Sequence, residues 1–233
     1  MNATEEVLLE VTIFLANQIS SYLYFTNRVL KAIELSKELL FFLDHKTLKN
    51  AEKELVFSAK LEAYVTIFFG YSRTNQTLLA IDSGRKLLDL TRQNNLREVE
   101  GRVSLELAKR YMDDWHFNEA KELCLKALSI ATETGRTEDE SDYYATLLII
   151  FIHLGELVTA KEYGEKAIAI AQKIGKKTRT EAICYHLIGD ISKRNREYVK
   201  VKEYKEKALE IAQEIGDREQ EATCYACIAD MLW

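Results

Sequence analysis

The chain has 233 residues, a formal net charge of −5 and a charged fraction of 30%. This composition excludes a disordered chain, and the acidic balance disfavours a general nucleic-acid binder, which usually carries a basic surplus. There is no Pro and there are only nine Gly. Because Pro is excluded from helix interiors but common in loops, the composition predicts long helices joined by tight turns.

The apolar spacing predicts five helix pairs followed by a lone helix; we call the first helix of each pair A and the second B. The predicted pairs span 3–25/28–43, 52–72/77–93, 97–114/117–134, 138–154/157–174 and 179–195/198–215, and the lone A helix spans 218–232. An insertion is predicted near residues 42–50. Three B helices end at a glycine, a residue that readily adopts the positive φ of a helix C-terminus (Gly135, Gly175 and Gly216).

The helices recur with a period of about 40 residues. The A segment 181–190 (EAICYHLIGD) recurs as 221–230 (EATCYACIAD), and the B segment 160–175 recurs at 201–216 and, upstream, at 120–135. A fainter B copy begins at Ala80 and a degenerate one at Ala32. Neither helix of a pair can bury its apolar stripe alone, so stacked pairs are expected to share one core. We therefore predict an all-α fold with one array over 1–233. It divides into a degenerate pair at 1–50, about four repeats at 51–216 and the lone helix at 217–233.

These repeats resemble the tetratricopeptide repeat (TPR). The matching A-helix residues are Tyr185, Ile188 and Gly189, and the matching residues of the turn and B helix are Tyr198, Val201 and Ala208. The resemblance implies an α-solenoid, a right-handed superhelix of antiparallel helix pairs. The usual TPR period is 34, and the longer period found here is similar to the arrays of the Pins/LGN family of G-protein signalling modulators.

In TPR proteins, A-helix residues line a concave groove that binds partner proteins. The resemblance implies that the groove residues are Arg102, Leu105, Lys109, Met112, Ile149, Ile152, His153, His186, Lys193 and Arg194. The centre of this set is apolar and its sides are basic, which suits an amphipathic or linear segment with a few acidic residues. Many TPR grooves have Asn at the ninth repeat position. The corresponding residues here are Phe69, Lys109, Ile149, Asp190 and Asp230.

The search for catalytic and metal-binding patterns gives one candidate. Cys224 and Cys227, with His186 and Cys184, could form a four-ligand site between adjacent helices, although helix packing is the favoured interpretation. The four histidines form no catalytic pattern, and no glycine-rich phosphate loop is present. The sequence therefore predicts no catalytic residue, no cofactor and no resident metal.

The cysteines and the N-terminal residues give an expectation for the cellular location of the protein. They lack the dense spacing of a small secreted domain, and Glu5 and Glu6 stand where a signal peptide would be basic. No run of ~18 apolar residues suggests a membrane span. These features predict a soluble, cytoplasmic protein.

The resulting functional hypothesis is a non-enzymatic scaffold or adaptor that binds a protein or peptide segment in its groove. One alternative is the sensor or regulatory arm of a larger effector, and a second, less favoured one is an RNA-binding helical array. The lone C-terminal helix, which ends in Met231, Leu232 and Trp233, also predicts self-association through that end.

Overall fold

The computed structural model describes residues 3–44, 53–135, 137–175 and 177–229. Within these ranges all regular structure is helical, and no residue is in a strand. The predicted all-α fold is therefore confirmed. The greater part of the predicted insertion and the Met231–Trp233 end lie outside the described residues.

The helices follow one another with short turns. They are α1 (Ala3–Phe25), α2 (Val29–Asp44), α3 (Lys53–Arg73), α4 (Thr77–Gln93), α5 (Arg97–Asp113), α6 (Phe117–Thr134), α7 (Thr137–His153), α8 (Leu157–Ile174), α9 (Arg179–Arg194), α10 (Tyr198–Ile215) and α11 (Arg218–Ala229). The predicted bounds agree to within one residue, apart from the predicted end of the last helix at 232, which lies outside the described residues. No helix in the described ranges is both long and apolar enough to cross a membrane.

The chain forms two compact units, Met1–Trp115 and His116–Trp233. In the first unit, each of the helices α1 to α4 packs on the next one in the chain, and α1 also contacts α3. Its core includes Ile13 of α1, Leu39 and Leu43 of α2 and Val56 of α3. This packing buries one face of α1.

In the second unit, the helices α6 to α11 also pack in chain order, and the A helices contact each other, α7 with α9 and α9 with α11. Leu147, Leu148 and Ile150 of α7 and Ile188 of α9 are fully buried. The organisation of the whole chain as a single array stays a prediction.

Several turns share one hydrogen-bonding pattern. In the turn after α7, the amide of Glu156 donates to the carbonyl of Phe151 at 2.9 Å, and Gly155 has φ +79°. In the turn after α9, the amide of Glu197 donates to Ser192 at 2.9 Å, and Arg196 has φ +60°. This is the Schellman arrangement, which caps a helix C-terminus by placing one residue in the left-handed region. It allows an A helix to reverse into a B helix within three residues.

Candidate partner-binding surfaces

Four of the ten predicted groove residues lie in the first unit, on one face of α5. Arg102 is exposed and Leu105, Lys109 and Met112 are partly exposed, whereas Val103, Ser104, Leu107, Ala108 and Tyr111 are buried. Spacing of three and four residues places the first group on one stripe of the helix, away from the core.

The same face of α5 also carries acidic side chains. The Lys109 ammonium lies 3.8 Å from the Glu106 carboxylate, and the Arg110 guanidinium lies 3.4 Å from Glu106 and 3.1 Å from Asp113. The charge of this face is therefore mixed rather than basic, and a partner would exchange intrahelical ion pairs for new ones. Such exposed exchanges contribute little free energy each.

The other predicted residues lie in the second unit, on two A helices that contact each other. On α7, Ile149 and Ile152 are partly exposed and His153 is exposed at the end of the helix. The His153 ring stacks on Phe117, with ring centroids 4.4 Å apart and planes 7° from parallel. The Thr180 hydroxyl of α9 donates to the Asp142 carboxylate of α7 at 2.7 Å. This bond joins the N-terminal parts of the two helices.

On α9, the predicted residues divide by burial. Lys193 and Arg194 are exposed, whereas His186 is 9% exposed and is packed inside the unit. His186 is therefore not positioned to contact a partner directly. Asp190, one helical turn further along and partly exposed, is the group through which His186 can affect this surface.

His186 and Asp190 belong to a polar cluster that also contains the buried Lys205 of α10. The Lys205 ammonium donates to an Asp190 carboxylate oxygen at 2.6 Å and to the His186 carbonyl at 3.0 Å. The His186 Nε2 lies 3.3 Å from the other Asp190 oxygen, and its Nδ1 lies 3.2 Å from the ammonium. With the proton on Nε2, the ring donates to Asp190 and accepts from Lys205. The cluster thus compensates a lysine that is only 1% exposed.

Lys205 replaces a small residue of the repeat. The equivalent B-helix positions are Gly84, Cys124 and Gly164, and all three are buried. A Cβ at Gly164 would lie 2.9 Å from Ile188, so the site has no room for a side chain. Beside Lys205, the facing residue is Gly189, where a Cβ would lie 3.0 Å from the lysine Cε. The space for the Lys205 side chain therefore comes from the glycine of the A helix α9, whereas in the preceding repeats the small residue is on the B helix.

The polar cluster changes the acidity of Asp190. Burial opposes ionisation of this carboxyl, but the hydrogen bonds from His186 and Lys205 and the positive charge of Lys205 outweigh it and lower the pKa to about 2. Asp190 is therefore negatively charged at neutral pH. It lies at the ninth position of its repeat, where many TPR grooves place Asn.

The residues of the candidate four-ligand site are only partly brought together. His186 and Cys227 lie together with Asp190, their ligand atoms all within 4.8 Å of one another, but Cys184 is not part of this group. The Lys205 ammonium already occupies the position of a cation between His186 and Asp190. Burial also raises the pKa of the Cys184 thiol to about 12, assisted by Asp142 and Glu181. A metal-binding cysteine must lose this proton, so the environment opposes ligation.

No protein-family model and no curated protein sequence matches this chain. Solved structures do match. The apo form of RapI has a TM-score of 0.79 and 17% identity, with 91% of this chain and 74% of that chain covered. The nearly identical TPR-like repeats of a kinesin light chain of Podosopora anserina give 0.68 and 18%, with 89% and 97% covered. The fold is TPR-like.

A third TPR-like structure is bound to a peptide. It is the Rap conjugation gene regulator of plasmid pLS20 in complex with the Phr* peptide, with a TM-score of 0.62 and 15% identity, and 96% of this chain and 60% of that chain are covered. At these identities the likeness concerns the fold alone.

The burial of Lys205 could not be predicted from the apolar pattern of the sequence. A lysine in a helix with polar neighbours is normally solvated, and the apolar period gives no reason to bury it. The signal that could have identified it is the column of small residues at Gly84, Cys124 and Gly164, which Lys205 interrupts.

Proposed function

We propose that this chain is a non-enzymatic protein-interaction scaffold that binds a segment of a partner protein on the exposed faces of its A helices. One observation carries the proposal. The contacting helices α7 and α9 carry partly exposed apolar residues, Ile149 and Ile152, and exposed cations, Lys193 and Arg194. Apolar anchors next to charges suit an amphipathic segment with acidic residues.

The TPR-like fold supports the same proposal, since a Rap neighbour is bound to the Phr* peptide. Each unit carries its own set of proposed residues. The set of the first unit is Arg102, Leu105, Lys109 and Met112. The set of the second unit is Ile149, Ile152, His153, Lys193 and Arg194, with His186 acting through Asp190. The negative charge of Asp190 disfavours an acidic partner residue at that position and favours a basic one or a backbone amide. The resemblance to Pins/LGN arrays and the cytoplasmic location remain predictions.

The basic end of α9 gives a first test. The tagged chain is used to isolate a partner, and its affinity is then measured at two salt concentrations. Lys193→Ala and Arg194→Ala should each weaken binding by less than about 1 kcal/mol and reduce its salt dependence, because exposed charges contribute mainly to steering. Lys202→Ala, on the exposed side of α10, is the matched control. If the wild type and all three variants show the same salt dependence, the C-terminal end of α9 does not contact the partner.

A further inference from the structure

Helix α1 is apolar on two opposite faces. Its inner face packs in the first unit through the buried Ile13 and through Ser20, whose hydroxyl accepts a hydrogen bond from Ser36 of α2 at 3.3 Å. The outer face carries six large side chains, and each has about half or more of its surface exposed (Val11, Phe14, Leu15, Ile19, Tyr22 and Phe25). We call these six residues the outer α1 face. At 100° per residue they occupy an arc of about 140° on one side of the helix.

The outer α1 face also lies in a segment without charge. No residue from 11 to 27 is acidic or basic. A helix with large apolar side chains on two opposite faces is normally covered on both of them. The six side chains expose on the order of 600 Å², to judge from the size of large apolar residues. A patch of this size is at the upper end of what soluble monomers expose, and such patches often serve as interaction sites.

We propose that the outer α1 face binds the outer α1 face of a second copy of this chain in an antiparallel, two-fold symmetric contact. Symmetry places identical surfaces together, so a face with charges of one sign would repel its copy, whereas this face brings together only uncharged groups. The exposed area approaches the ~800 Å² per partner of a standard interface. Adjacent exposed polar side chains of α1, such as Gln18 and Ser21, can supply the rest.

The position of Gln18 favours this occupant and sets the register. Gln18 is exposed within the arc of the outer α1 face and lies midway between its end residues, Val11 and Phe25. When two copies cross with Gln18 at the two-fold axis, Val11 faces Phe25 and Phe14 faces Tyr22. The amide of Gln18 carries both donors and an acceptor, so it can pair with its own copy. A single polar residue at the centre of an apolar seam is a known device for fixing register and orientation.

Sedimentation velocity of the full chain at about 1 to 100 µM tests the contact. A concentration-dependent dimer is expected, and Phe14→Lys should raise its dissociation constant at least tenfold because it places two lysines in an apolar seam. Leu78→Lys is the matched control, since Leu78 of α4 is 71% exposed but lies outside the outer α1 face. Circular dichroism verifies that both variants are folded.

The register is tested separately by cross-linking. In a Cys227→Ala background, Gln18→Cys should form an intermolecular disulfide under mild oxidation, because residue 18 meets its own copy at the axis. Gln93→Cys, at the exposed end of α4, should not.

Four results would overturn the proposal. They are a monomer over the whole concentration range, a dimer that Phe14→Lys leaves intact, a dimer that Trp233→Lys alone disrupts, and a monomer that sediments with neutral phosphatidylcholine vesicles through α1. None of them bears on partner binding at α7 and α9, so the two proposals fail independently.

Discussion

Asp190 and Lys205 depend on each other for their charges. Asp190→Asn would leave the Lys205 ammonium without a counter-charge, and we expect it to lower the free energy of unfolding at pH 7 by about 2 kcal/mol. This is less than the loss for a fully buried pair because the carboxylate is partly exposed. Lys205→Met, which fills the same volume without charge, should stay within about 1 kcal/mol of the wild type. Urea denaturation measures the free energy of unfolding of both variants. A larger loss for Lys205→Met than for Asp190→Asn would contradict the ion-pair interpretation.

The same carboxylate predicts a pH dependence. Its pKa is lowered from 3.8 to about 2 in the folded chain, so the folded state binds its proton less readily than the unfolded state. Its contribution to stability is complete above about pH 4 and is lost as the pH falls toward about 2. The stability difference between the wild type and Asp190→Asn should shrink over this window. A difference that stays constant down to pH 2 would show that Asp190 is not paired.

A substitution at Gly155 measures the free-energy cost of placing a residue with a side chain in the left-handed region. A Cβ at this position would contact nothing within 4 Å, so Gly155→Ala changes only the backbone preference. At φ +79° it should lower the free energy of unfolding by about 1 kcal/mol. Arg196, at the equivalent turn after α9, has φ +60°, so Arg196→Gly should be neutral or stabilising. Thermal unfolding of the two variants measures the contrast, and a stabilising Gly155→Ala or a destabilising Arg196→Gly would reject the turn assignment.

At the scale of the helices, α9 begins with a side-chain cap. The Thr178 hydroxyl accepts a hydrogen bond from the amide of Glu181 at 3.1 Å. Thr178→Ala should lower the free energy of unfolding by about 1 kcal/mol, as is usual for a lost N-cap. Thr223→Ala is the control, because Thr223 is exposed in the middle of α11 and its loss should change stability by no more than about 0.5 kcal/mol. Equal effects of the two substitutions would exclude the cap.

The helices could be predicted from the sequence more completely than the surfaces. The 40-residue period and glycines such as Gly175 fix helix bounds because they reflect local backbone preferences. Burial at one position depends on which neighbour supplies space. For example, Lys205 is buried because Gly189 leaves room for its side chain. His186 was predicted from its repeat position to line the groove, but it is buried in the polar cluster instead. The apolar stripe of α1 was visible in the sequence, but its exposure depends on which face α2 and α3 cover.

For the molecule as a whole, the helix content is the simplest property to measure. The described helices include roughly four fifths of the chain, against ~30–35% for an average globular protein. Far-UV circular dichroism should therefore show well over half helix and no clear strand signal. A substantial strand signal would contradict the TPR-like fold.

The exposed A-helix face of α7 is the surface proposed to contact a partner, and Ile149→Asp tests this contact most directly. A partner is isolated with the wild-type chain, and calorimetry then compares the wild type, Ile149→Asp and Val158→Asp, a control at a 77% exposed position on α8. All three proteins should give the same circular dichroism spectrum. Ile149→Asp should weaken binding by about 2 kcal/mol or more, because it places a charge where an apolar anchor docks, and Val158→Asp should bind as the wild type does. Unchanged affinity in a folded Ile149→Asp would contradict the proposed surface, and unfolding of this variant would place Ile149 in the core instead.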